Sequence, residues 1–229
     1  MTLEEAIAKI KPLDHNAMEI AQKRWDSIAK PLHSLGKLET LLIQIAGITG
    51  NAEVDLSRRG LIAMCADNGV VEEGVTQTGQ EVTAIVAENF LKYDTSVGVM
   101  CKQNHAEIFP VDMGMVTDTK VRTDHKIAYG TQNMTKGPAM TREQAVKGLE
   151  AGIDMVRELN DKGYRILATG EMGIGNTTTS SAVASVLLKQ PVEEMTGRGA
   201  GLTSEGLVRK INAIKKAIAL NEPDPEDAI

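Results

Sequence analysis

The chain has 229 residues, of which 42% are hydrophobic and 24% charged, enough to bury a substantial core and ordinary for a globular protein. Its net charge of −6 argues against the clustered basic surface that a nucleic-acid partner requires. It does not argue against a small anionic ligand, which local backbone dipoles bind even within an acidic protein. No stretch approaches the roughly 20 apolar residues of a membrane span, and the acidic start, Met1 to Ala6, lacks a signal-peptide core. A cytoplasmic location is expected.

In chain order, Thr2-Leu3-Glu4-Glu5 is a capping box that predicts a helix from the outset. Met18, Ala21, Trp25 and Ile28 share one face of a second helix over about 16–29, which Pro31 stops. Leu41, Leu42, Ile45 and Ala46 form the apolar stripe of a third, over 35–48. These helices are expected to make a helical subdomain over residues 1–55. An α/β domain is expected over 56–229.

From Gly60 the pattern changes. Residues 61–66 are a continuous apolar run, suited to a strand buried on both faces. A helix follows over 81–92, an apolar run over 106–111 ends in Asp112-Met113-Gly114, and 125–129 reads as a further short strand. Thr141-Arg142-Glu143-Gln144 is a second capping box, opening a helix to about residue 160. A buried strand over 164–169, a helix over 177–188 and a last helix over 204–220 complete the pattern. Residues 221–229 read as a loop and the first residues of another helix, so the chain is expected to be a fragment, incomplete at its C-terminus. Strands alternating with amphipathic helices predict a doubly wound, mostly parallel α/β sheet.

Cys65 and Cys101 lie in apolar surroundings and read as reduced core residues. His15, His33, His105 and His125 form no metal-ligand spacing, so neither a metal nor a cofactor is expected. In an open α/β sheet ligands sit beyond the carboxyl ends of the strands. Three polar segments fall there: Asp67-Asn68-Gly69, Asp112-Met113-Gly114 and Gly170 to Thr179.

The last is the most informative. A strand enters a loop with three glycines, Gly170, Gly173 and Gly175, and then a helix that Asn176 or Thr177 would cap. Free N–H groups at such a helix start suit a phosphate. It is not a Walker A loop, because no Gly-Lys-Ser/Thr follows the glycines. A structural strand-to-helix turn is the competing interpretation. Glu171 weighs against it, since a carboxylate beside an anion loop needs a reason; it would steady a cationic sugar centre or accept a proton. A second glycine-rich turn, Gly197 to Gly201, precedes Lys210, and together they would complete the phosphate site. A small-molecule kinase fits the loop less well, lacking a lysine within it.

The string from Gly170 to Thr179 closely resembles the hallmark of the nicotinate-nucleotide–dimethylbenzimidazole phosphoribosyltransferases. Lys30 to Glu39, Ala66 to Val70 with Glu73-Gly74-Val75 and Gln80 to Thr83, Val111 to Gly114, Gly130 to Asn133, and Gly137 to Thr141 match in the same order. The resemblance covers nearly the whole chain. It implies transfer of the phosphoribosyl group of nicotinate mononucleotide to 5,6-dimethylbenzimidazole or a related base, giving α-ribazole 5′-phosphate and nicotinate. It implies a homodimer whose other partners are small molecules, with no nucleic acid or membrane. By the same resemblance Glu171 is the active-site glutamate, and Thr78, Val86 and Met172 line the base pocket. Gly173, Gly175, Asn176, Thr177, Thr178, Gly201 and Lys210 hold the ribose phosphate. Asn68 stands where the family usually has His, and His33 where it usually has Gly. The family's general-base glutamate lies in a continuation beyond residue 229. A relative that binds nucleotide or base without turnover is the alternative.

Overall fold

The computed structural model describes residues 1–229. Both halves of the Thr2 capping box form and open α1 (Leu3–Ala8). Asp14 caps α2 (His15–Ser27) by accepting from the Ala17 N–H. α2 lies against α3 (Lys37–Thr49). Their contact is made by small residues, Ala17, Ala21, Ala46 and Gly47. A Cβ on Gly47 would lie 2.7 Å from Met18 Cγ, so glycine sets the approach of the two helices. The expected apolar faces of both helices are only partly buried: Ile28, at the end of α2, and Leu41 of α3 are exposed. Between α2 and α3 the chain turns around Glu39, which pairs with Lys30 at 2.9 Å and accepts from the Leu35 N–H at 3.0 Å. His33 has φ of 58°, the left-handed region that favours glycine.

The apolar run forms β1 (Arg59–Ala66), the central strand. A 3-10 turn (Gly69–Glu73) leads on to α4 (Glu81–Phe90) and α5 (Ser96–Gln103), then to β2 (Ala106–Gly114). The second capping box, at Thr141, opens α6 (Arg142–Asp161), which leads to β3 (Ile166–Met172). α7 (Asn176–Leu187), α8 (Val192–Met195) and α9 (Ser204–Asn221) complete the chain. The sheet is parallel, in the order β2-β1-β3. β2 is thus an edge strand, where Pro110 is tolerated although it cannot donate to the ladder.

Side chains of β1 alternate between two cores. Leu61, Ala63 and Cys65 pack with Ala84, Ala87 and Phe90 of α4 and Cys101 of α5. Ile62 faces the other way, with Met155 and Leu159 of α6, Val111 and Tyr164. Helices on both faces make the winding double. A third core joins α7 and α9 through Ala182, Ala213, Ile214 and Ala217 to Val70 and Val75. No helix is long and apolar enough to cross a membrane.

Two expected elements differ. Residues 125–129 form no strand; Ile127 N–H donates to the Met113 carbonyl and Lys126 reaches the buried Asp112 carboxylate at 3.2 Å, so side-chain and single backbone bonds replace a ladder. Residues 222–229 make a turn held by Asp224, which accepts from the Glu226 N–H, and not the start of a helix.

Candidate active site

β3 does not stop at Thr169. It continues through Glu171, opposite Met64, and Met172, opposite Cys65. Glu171 is therefore a strand residue rather than a loop residue, and the loop proper is only Gly173-Ile174-Gly175. Gly173 lies against the end of β1: a Cβ there would collide with the Ala66 carbonyl oxygen and come within 2.6 Å of Glu171 Oε1. Gly175 has φ of 93° and is the N-cap of α7. Neither Asn176 nor Thr177 caps the helix, and Gly175 has no side chain with which to do so. The Asn176 side chain instead donates to Glu171.

Across from this loop runs the turn Gly197–Gly201. Between them lies a cavity of about 290 Å³, walled by Val75, Thr78, Met172, Ile174, Thr177 and Leu202 among others. Backbone N–H groups of Gly175, Thr177, Gly199 and Ala200, all from its lining, donate to no acceptor within the chain. Lys210 comes up from α9 beneath it. Its side chain is only 1% exposed, and Nζ donates to Thr177 Oγ1 at 2.7 Å and to the Gly197 carbonyl at 3.1 Å. It has no carboxylate partner, and burial lowers its pKa. The Lys210 ammonium is thus held without a counter-ion beside backbone N–H groups that have no partner within the chain.

Glu171 sits next to this cavity through Asn176, on the open edge of β3. Its surface is accessible, but the protein packed around the carboxyl group raises its pKa, against a smaller lowering by the Asn176 hydrogen bond.

Other sequence-predicted residues fall in different places. Thr78, Met172, Gly173, Gly175, Asn176 and Thr177 line the cavity. Gly201 stands just outside, its carbonyl accepting from Gln77. Val86 is one layer back, packed on the core of Leu61, Ala63 and Cys65. Thr178 is fully buried, and its hydroxyl faces away into the protein without a partner. Asp67 and Asp112 fasten backbone: Asp67 accepts from Val116 N–H, and Asp112 from Gly114 and Met115 N–H. No cluster of three or more His, Cys, Asp or Glu side chains has a metal-binding arrangement. Sequence reasoning missed Arg198, which lines the cavity and fastens its own turn through the Leu202 carbonyl at 2.7 Å. Its place inside Gly197–Gly201 was the available signal.

Fold and cavity together define an open parallel α/β protein with a glycine-lined cavity at the carboxyl ends of its strands. The family model described as phosphoribosyltransferase matches residues 10–229, and the chain belongs to that family. A nicotinate-nucleotide–dimethylbenzimidazole phosphoribosyltransferase of Ruminiclostridium cellulolyticum is 51% identical over 231 residues, covering 100% of this chain and 66% of the relative. One of Clostridium tetani is 47% identical, covering 99% and 63% respectively. The crystal structure of CobT from Thermus thermophilus superposes with a TM-score of 0.84 at 35% identity, over 93% of this chain and 64% of that one. The chain thus spans just under two thirds of the length of the proteins it resembles.

Proposed function

We propose that this chain carries the phosphoribosyl-binding part of an enzyme that transfers the phosphoribosyl group of nicotinate mononucleotide to 5,6-dimethylbenzimidazole or a related base. The products are α-ribazole 5′-phosphate and nicotinate, as in the assembly of the lower ligand of cobalamin. The observation that carries this reading is Lys210: a buried ammonium with no carboxylate partner, bonded to Thr177 at the edge of a cavity whose lining includes the unpaired N–H groups of Gly175, Thr177, Gly199 and Ala200. The names of the relatives supply the substrate classes.

In this reading the phosphate of the nucleotide lies among Gly173, Gly175, Asn176, Thr177 and Lys210, with Gly201 and Thr178 supporting the turn and the helix start from outside the cavity. The flat base rests on Met172 and Thr78, with Val86 supporting them from behind. In the donor the nicotinate ring is a pyridinium; it leaves with the C1′–N electron pair as a neutral ring nitrogen, so its departure relieves positive charge and needs little acid assistance. What remains is to align the acceptor nitrogen with C1′, stabilise the cationic sugar centre and take the acceptor proton. Glu171 serves the cationic centre. The helical part over 1–55 and the α/β part over 56–229 are separate units of one cytoplasmic homodimer. The test is to incubate the full-length protein with nicotinate mononucleotide and a panel of benzimidazoles. Nicotinate release dependent on the base is expected; no release with any base refutes the assignment.

A further inference from the structure

The glycine turn has little conformational preference of its own, because glycine flanks Ile174 on both sides. Its shape is decided from outside. The Ile174 N–H donates to Thr83 Oγ1 at 3.0 Å, and the Ile174 carbonyl accepts from Asn68 Nδ2 at 3.2 Å. Thr83 is fully buried on α4 and Asn68 is 9% exposed at the end of β1. Two elements remote in sequence therefore grip one residue's backbone from opposite sides.

A trans peptide unit is planar, with its C=O and N–H pointing in opposite directions. Holding the Ile174 carbonyl on Asn68 therefore aims the Gly175 N–H away from Asn68. The preceding peptide is fixed in the same way: Thr83 takes its N–H, and its Gly173 carbonyl accepts from Asn176 N–H at 3.0 Å. The grip is itself braced. Thr179 Oγ1 lies 3.3 Å from Asn68 Oδ1, and Gln80 Nε2 donates to the Asn68 carbonyl at 3.1 Å. We infer that Asn68 and Thr83 are positioning residues that fix the orientation of the Gly173–Gly175 peptides and so present the Gly175 N–H to the nucleotide phosphate. This rests on the function proposed above.

The test uses the full-length protein with Thr83→Val, Thr83→Ser and Asn68→Asp. Valine keeps the volume of threonine without its acceptor, serine keeps the acceptor, and aspartate removes the Asn68 donor. Two readouts are taken: amide hydrogen exchange of residues 173–177, and affinity for nicotinate mononucleotide by titration calorimetry. Thr83→Val and Asn68→Asp are expected to speed exchange in that segment and weaken binding by roughly tenfold, the size of one lost hydrogen bond. Thr83→Ser is expected to restore both. Unchanged exchange in the turn overturns the inference, as does wild-type affinity alongside faster exchange. If Thr83→Val does not fold, Asn68→Asp carries the comparison. If the unaltered protein binds no nicotinate mononucleotide, the proposed function falls, and exchange alone then decides whether the grip exists.

Discussion

Replacing Lys210 with Met keeps the length and apolar stem of the side chain and removes only the ammonium. In the free protein the two consequences oppose each other. The bonds to Thr177 Oγ1 at 2.7 Å and to the Gly197 carbonyl at 3.1 Å are lost, but so is the cost of burying a charge that has no carboxylate partner. The net change in stability should stay within about 1 kcal/mol, as for other buried charges replaced by apolar groups of like volume. With ligand bound there is no such offset. A hydrogen bond to a charged group contributes roughly 1.5–3 kcal/mol, so nicotinate mononucleotide should bind the variant about ten- to 150-fold more weakly. Calorimetric titration of both proteins, with a melting curve for each, measures the two effects separately. Inorganic phosphate should show the same loss, since the lost partner is the phosphate. The lowered lysine pKa also sets a sign with pH: phosphate favours the protonated amine, so affinity should fall in alkaline solution sooner than for an ordinary lysine. An affinity equal to that of the unaltered protein would show that the anion does not sit beside Lys210.

The raised pKa of Glu171 means that the folded state holds the proton more tightly than the unfolded chain does. The stability this contributes is full below the unfolded pKa and lost as pH rises through the folded one. Glu171→Gln should therefore melt higher than the unaltered protein at neutral pH, converge with it in acid, and slow nicotinate release; an identical pH profile of melting would refute the shift. Gly173→Ala places a Cβ against the Ala66 carbonyl and within 2.6 Å of Glu171 Oε1. A backbone oxygen on a paired strand cannot swing aside, so a loss of about 1–3 kcal/mol is expected by denaturant titration. Cys65 is completely buried, and burial together with the nearby Glu171 and Asp112 pushes its thiol up to about 12. A thiol reagent at mildly alkaline pH should leave Cys65 unmodified in the folded protein and label it only after unfolding, as peptide mass spectrometry would show.

Local rules in the sequence determined much of this protein. Capping boxes at Thr2 and Thr141 start the helices they promise, because such boxes satisfy their own backbone donors without help from elsewhere. The apolar run over 61–66 is the central strand because only a strand covered on both faces can hold it. The alternation of strands and helices fixed the parallel sheet, and the glycine string marked the cavity. Elements that draw on partners distant in sequence were not legible. Gly170 to Met172 read as loop, yet pairing with Ala63 to Cys65 makes them strand. Residues 125–129 read as strand, yet they meet the edge of β2 through single backbone bonds such as that from Ile127 N–H to the Met113 carbonyl, not through a ladder. The apolar stripe on α3 included Leu41, yet Leu41 is exposed, and it is Gly47 that lies against Met18 of α2. Lys210 is 33 residues from Thr177, Thr83 is 91 from Ile174, and Asn68 is 106 from it. A sequence records which residues could donate, accept or carry charge. Which of them meet, and which N–H groups remain unpaired around the cavity, is settled only when the chain packs, because a hydrogen bond depends on distance and direction.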